Sequence, residues 1–191
     1  MKRIFALAAA ALVLASAGGA QTAPERQQGF LLGVQMQPRK IAQLVYGAGI
    51  SDFYELNRAI AIALAESQGF TRAYNDNVDA NGKLVSRDVG IYQINIPASQ
   101  VGTSVEEDLY DPVKNVAAMK RLYEARGWQP WVAYTTGVYL HDTYLRRASL
   151  AAMNLAAERF VVLARAAGQS PKTPIPMLSQ KQLSTFYCLY C

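Results

Sequence analysis

The sequence predicts a mainly α protein of the α+β kind, a helical domain carrying one small β-hairpin. Apolar residues recur at helical spacing in separate stretches, each opened by a capping signal or closed by glycine. Between them one stretch is rich in Asn and Asp and contains Asn81-Gly82, the dipeptide favoured in hairpin turns. The chain has 191 residues, of which 51% are apolar, enough for one domain with a sizeable core and too few for two.

The first element is an export signal. Lys2 and Arg3 form a basic start, Ile4 to Ala15 an unbroken apolar run, and Ser16 to Ala20 a small-residue region in which Ala17 and Ala20 suit a cleavage site, as does Ala23 beyond it. The run is shorter than the roughly 20 apolar residues a membrane-spanning helix needs. Residues 1–20 are therefore expected to be removed, with no stable membrane span left, and the mature protein to be periplasmic or extracellular. Residues 21–37 are polar and read as a linker.

A helix is expected from Lys40, with Ile41, Leu44 and Val45 on one face and Gly47 and Gly49 ending it. Asp52 and Glu55 resemble a capping box for a second helix. Leu56, Ala59, Ile60, Ala63, Leu64 and Ser67 give that helix one apolar stripe, and Gly69 stops it. After the hairpin region, with a short strand at Leu84 to Arg87, Asp111-Pro112 reads as an N-cap followed by proline at the first helical position. This helix carries Val116, Met119, Leu122 and Tyr123 and ends at Gly127. A last helix is expected over 143–167, then a proline-containing tail over 168–191.

Loss of Lys2 and Arg3 takes the formal charge from +5 to +3. The charges are dispersed, so nucleic acid is not an expected partner; a mild positive charge suits work near an anionic polymer such as a cell wall.

The chemistry centres on Glu66. It lies at the edge of the apolar stripe near the end of its helix, one turn beyond Ile62 and Ala63. A half-desolvated carboxyl can hold its proton near neutral pH, as cleavage of a glycosidic bond requires when the leaving oxygen must be protonated. Four motifs follow in order: Ala65-Glu66-Ser67, Gly90-Ile91-Tyr92-Gln93-Ile94-Asn95, Asp111-Pro112 with Asn115, and Ala133-Tyr134-Thr135-Thr136-Gly137. In order and spacing this resembles the lysozyme-like domain of soluble lytic transglycosylases, including its small exported members. The resemblance spans about Lys40 to Leu140, within a domain placed at 38–142, with the last helix as an accessory.

The resemblance implies an α+β lysozyme-like fold whose groove runs between hairpin and helices, with peptidoglycan glycan strands as substrate. Glu66 takes the place of the catalytic acid, Gln93 of a residue lining the sugar groove, and Tyr134 of a tyrosine that steadies the acid or the transition state. Gly90 packs where bulk would block the groove; Ser67, Tyr92 and Asn95 join the expected substrate-binding set. Ile91-Tyr92 stands where the family has Leu-Met, and Thr135 where it has Asn. The resemblance also implies a reaction with one Glu as acid and then base, in which the muramic acid 6-hydroxyl attacks its own C1 and gives a 1,6-anhydro product. A hydrolytic muramidase would need a second carboxylate, for which Asp88 is the candidate. A glycan-binding module without turnover is the reading from another class. Relatives tied to secretion and conjugation machines extend the expected partners to such an envelope apparatus.

Asn77, Asp79, Asn81, Gly82 and Asp88 also fall at calcium-loop positions, but an Asn-Gly hairpin explains the same residues. No cofactor is expected, and lone His141 suggests no metal site. Of Tyr92, Trp128, Trp131, Tyr134 and Tyr139, most are expected in the core and one or two at the groove. Cys188 and Cys191 are the only cysteines. Outside the cytoplasm they are expected oxidised, as a local disulfide or in an intermolecular pair.

Overall fold

The computed structural model describes residues 29–168; the expected signal segment, most of the tail, and Cys188 with Cys191 lie outside the described residues. In chain order the elements are α1 (Pro38–Gly47), α2 (Phe53–Ser67), β1 (Tyr74–Val78), β2 (Leu84–Val89), β3 (Ile94–Pro97), α3 (Ser104–Tyr110), α4 (Pro112–Arg126), α5 (Val132–Thr135) and α6 (Asp142–Ala166). Short 3-10 turns occupy Ala98–Gln100 and Val138–Leu140. The fold is helical with one small antiparallel sheet in the order β1-β2-β3, as the sequence predicts.

The central element is α2. Asp52 caps it, its side chain accepting from the N–H groups of Tyr54 and Glu55, worth about 1 kcal/mol. The stripe read from sequence is buried, and so are Ala61 and Ile62, because α1 and α6 both pack on this helix. Burial of Leu56, Ile60, Ile62 and Leu64 stabilises by roughly 1.5–3 kcal/mol per side chain. The helix closes with Gln68 in the left-handed conformation, φ 54°, followed by Gly69.

Asp79 Oδ1 accepts from the N–H groups of Asn81 and Lys83, Gly82 N–H donates to Asp79 O, and Gly82 has φ 77°. This is a tight turn followed by one left-handed residue, the common three-residue hairpin connection. Paired strands flank it where a calcium loop would need helices. The hairpin gains a third strand because Gly90 and Gln93, both at positive φ, reverse the chain after β2 and pair Val89 with Ile94 and Asp88 with Asn95.

Residues 29–36, which read as linker, run antiparallel beside the chain that follows α2. Phe30 exchanges both backbone hydrogen bonds with Tyr74, and Met36 N–H donates to Gly69 O. Thr103 caps α3, its side chain accepting from Val105 N–H. Helix α3 is not among the helices expected from the sequence, although Thr103 followed by Glu106 is a local signal for it. Asp111 caps α4 as expected, accepting from Val113 and Lys114 N–H. In α6 the small buried residues Ala148, Ala151 and Ala152 let the helix approach α1 and α2, so it shares the core cluster. No helix among the described residues is long and apolar enough to cross a membrane.

Candidate active site

Glu66 sits half-buried in the last turn of α2. Its Oε1 accepts a hydrogen bond from Ala133 N–H at 2.9 Å, at the start of α5. The carboxyl thus bridges the end of one helix and the beginning of another. A backbone donor fixes the direction of the carboxyl plane without adding a side chain to the site. Tyr134, the next residue, is half-buried and stacks on Tyr139 with ring centroids 5.5 Å apart.

The turn from Gly90 to Gln93 packs on the end of α2. Ser67 fastens it: its hydroxyl lies 2.8 Å from Ile91 O and 3.0 Å from Ala63 O, and accepts from Gly69 N–H. Asn115 fastens it from α4. Its Oδ1 accepts from Tyr92 N–H at 2.9 Å, while Nδ2 donates to Val89 O at 2.9 Å and Leu109 O at 2.8 Å. Gly90 makes the close approach feasible. It has φ 76°, and a Cβ there would stand 2.2 Å from Asn115 Nδ2 and 2.4 Å from Leu109 O. Gln93, also left-handed at φ 47°, directs Nε2 to Ala73 O and Gly90 O. These bonds offset the strain of a non-glycine residue in that region.

Two residues expected along the groove lie inside the protein. Ser67 is 1% exposed and Tyr92 0%, so both side chains lie in the interior. Tyr92 Oη donates to Ala59 O, and Trp131 Nε1 donates to Tyr92 O; burial holds this phenol well above the usual tyrosine range. Trp128 and Trp131 are buried as well, leaving Tyr134 and Tyr139 as the half-buried aromatics of this patch.

Asp88 and Asn95 meet on the sheet. Asn95, exposed, donates from Nδ2 to Asp88 Oδ1 at 2.8 Å and to Ser86 Oγ at 2.9 Å. Asn77 Nδ2 donates to Asp88 Oδ2 at 3.0 Å. Both oxygens of Asp88 therefore accept from amides on the two neighbouring strands. The opposite face of the sheet holds Arg87, bonded to Asp76 and to Glu106 of α3.

Sequence reasoning passed over three contributors. Asn115 stood in a quoted motif without a role, and its signal was only its place one turn after Asp111-Pro112. The Ala133 N–H carries no side-chain signal. Glu55, read as half of a capping box, accepts instead from Trp128 Nε1 at 2.6 Å and Tyr123 Oη at 3.3 Å, and pairs with Arg58 at 2.6 Å. Among the described residues no group of three or more His, Cys, Asp or Glu is placed to hold a metal ion; His141 Nδ1 faces Thr143 N–H at the start of α6.

Residues 42–133 match the model of a protein family described as a lysozyme like domain. No curated protein matches the chain.

Proposed function

Because residues 42–133 belong to the lysozyme-like domain family, we propose that this protein is an exported peptidoglycan lytic transglycosylase. The family membership supports cleavage of glycosidic bonds in peptidoglycan. The finer reading assigns the MurNAc–GlcNAc β-1,4 bond and a single carboxyl, Glu66, as acid and then base. Glu66 protonates the oxygen of the leaving sugar as its bond to C1 breaks. The resulting carboxylate then takes the proton of the muramic acid 6-hydroxyl as that oxygen bonds to C1. The proton count closes on Glu66, and the product is 1,6-anhydro-MurNAc. An attacking group within the substrate profits from proximity, so no activated water is needed.

The observation that carries the reading is the half-buried carboxyl of Glu66 at the end of α2, held by the Ala133 N–H; the choice of one carboxyl over two rests on the resemblance to lytic transglycosylases. Asp88 accepts from Asn77 and Asn95, a setting compatible with a nucleophilic carboxylate, so the Asp88→Asn digest decides between the two routes.

The test is a digest of purified peptidoglycan with wild type, Glu66→Gln and Asp88→Asn, products resolved by mass. The expected result is anhydro-muropeptides from wild type and Asp88→Asn and none from Glu66→Gln. Products heavier by one water and lost in Asp88→Asn would make the protein a muramidase. Retained wall binding with no products from folded wild type would make it a glycan-binding module.

A further inference from the structure

The turn that carries Ala133 and Tyr134 is short, and α5 itself spans only Val132–Thr135. Four residues make one helical turn, too few to hold their own position. Beside the Ala133–Glu66 bond and the buried Trp131, two residues nearer the start of α2 hold the turn against that helix. Glu55 receives Trp128 Nε1 and so grips the chain just before α5. Arg58, paired with Glu55 at 2.6 Å, sits 5.9 Å from the centre of the Tyr134 ring, itself stacked on Tyr139.

The Arg58 side chain is 31% exposed. At that depth the guanidinium is attracted by the electron-rich face of the ring. Its charge is favoured by Glu55, Tyr139 and Tyr134, which together more than offset the burial that opposes it. The planar guanidinium can meet a carboxylate on one edge and an aromatic face on another, which an ammonium cannot reproduce.

Resting on the reading of Glu66 as the acid, we propose that Arg58 is a positioning residue. It sets the Tyr134–Tyr139 stack against α2, and through the backbone of α5 it sets the Ala133 N–H that orients Glu66. Arg58 acts on the reaction without touching the scissile bond. Its removal leaves the fold and the glycan groove standing but lets α5 drift relative to Glu66.

The experiment compares wild type, Arg58→Met, Arg58→Lys and Tyr139→Phe on soluble peptidoglycan strands, with Glu66→Gln as the inactive reference. Arg58→Met is expected to lower kcat between about tenfold and a hundredfold, the range a small misplacement of reacting groups costs, with KM nearly unchanged. Arg58→Lys, which restores charge without the planar fork, is expected to recover only part of the loss. In amide-resolved NMR of the same proteins, the Ala133 amide proton is expected to move in Arg58→Met in the direction it moves in Glu66→Gln. Equal kcat in wild type and Arg58→Met, or an Ala133 amide that does not move, would overturn the role of Arg58 while leaving Glu66 as the acid. Full activity in Arg58→Lys would reduce the residue to a surface charge and overturn it too. A wild type as inactive as Glu66→Gln would overturn the reading of Glu66 and this inference together. If Arg58→Met does not fold, the Arg58→Lys and Tyr139→Phe arms decide: partial kcat loss in both supports the role, and none in either refutes it.

Discussion

Gly90→Ala tests the architecture of the turn from Gly90 to Gln93 at a single atom. The added Cβ meets Asn115 Nδ2 at 2.2 Å and Leu109 O at 2.4 Å, and the backbone must hold φ 76°. The left-handed conformation alone costs a non-glycine residue about 1–2 kcal/mol. Asn115 would have to withdraw, stranding among Tyr92 N–H, Val89 O and Leu109 O at least one buried group, at about 1–3 kcal/mol each. The sum is roughly 4 kcal/mol, a large share of the 5–15 kcal/mol typical of a domain. Urea unfolding followed by the fluorescence of Trp128 and Trp131 measures it. With a slope near 2 kcal/mol per molar, the midpoint should fall by about 2 M. Pairing Gly90→Ala with Asn115→Ala relieves the contact with Nδ2 but not that with Leu109 O, so the double variant should cost less than the two singles added, yet stay well below wild type. A Gly90→Ala midpoint within about 0.5 M of wild type, with activity intact, would refute both the left-handed turn and the close approach of α4.

Ser67→Ala removes the hydroxyl that ties Ile91 O to the end of α2; it should cost about 1–3 kcal/mol in urea unfolding and lower activity while Glu66 is untouched. Glu106 is buried, which opposes its charge, but Gly102 N–H, the Tyr110 hydroxyl and Arg87 more than compensate, holding its carboxyl below the usual range. A lowered folded value means that its stabilisation is complete above the unfolded value near 4.5 and is lost as pH falls through the folded one. Wild type should therefore lose urea resistance between pH 5 and pH 3 more steeply than Glu106→Gln; equal slopes would contradict the assignment. Trp128→Phe keeps one aromatic ring at this buried position, empties the volume of the other, and deletes the donor to Glu55. It should destabilise by about 1–3 kcal/mol in thermal or urea unfolding, because a half-buried carboxylate loses a short hydrogen bond.

Helices α1, α2, α4 and α6 were legible because their signals are local. Asp52 and Asp111 cap the helices they were read to cap, and the stripe from Leu56 to Ser67 is buried along its length. The Asn81-Gly82 hairpin was legible for the same reason, since its turn depends on a few adjacent residues. Where a local rule admitted two outcomes, the reading went astray. Glu55 stands three residues after an N-cap, the place for a capping box, but a buried indole N–H nearby claims its carboxylate. Ser67 and Tyr92 were expected to bind substrate, yet both lie in the interior, their hydroxyls and the Tyr92 N–H bonded to Ile91 O, Ala59 O and Asn115 Oδ1.

Of the six helices among the described residues, α1, α2, α4 and α6 could be read from the residues alone, together with the hairpin and the place of Glu66 near the end of an apolar helix. Each follows from residue spacing and the short-range geometry of caps and turns. The folded arrangement alone brings the Ala133 N–H to Glu66, seats Asn115 between Gly90 and Leu109, and brackets Asp88 with amides from both neighbouring strands. Those pairings join residues that reach 67 positions apart. No periodicity records them, because they are set by how helices and sheet close on a shared core.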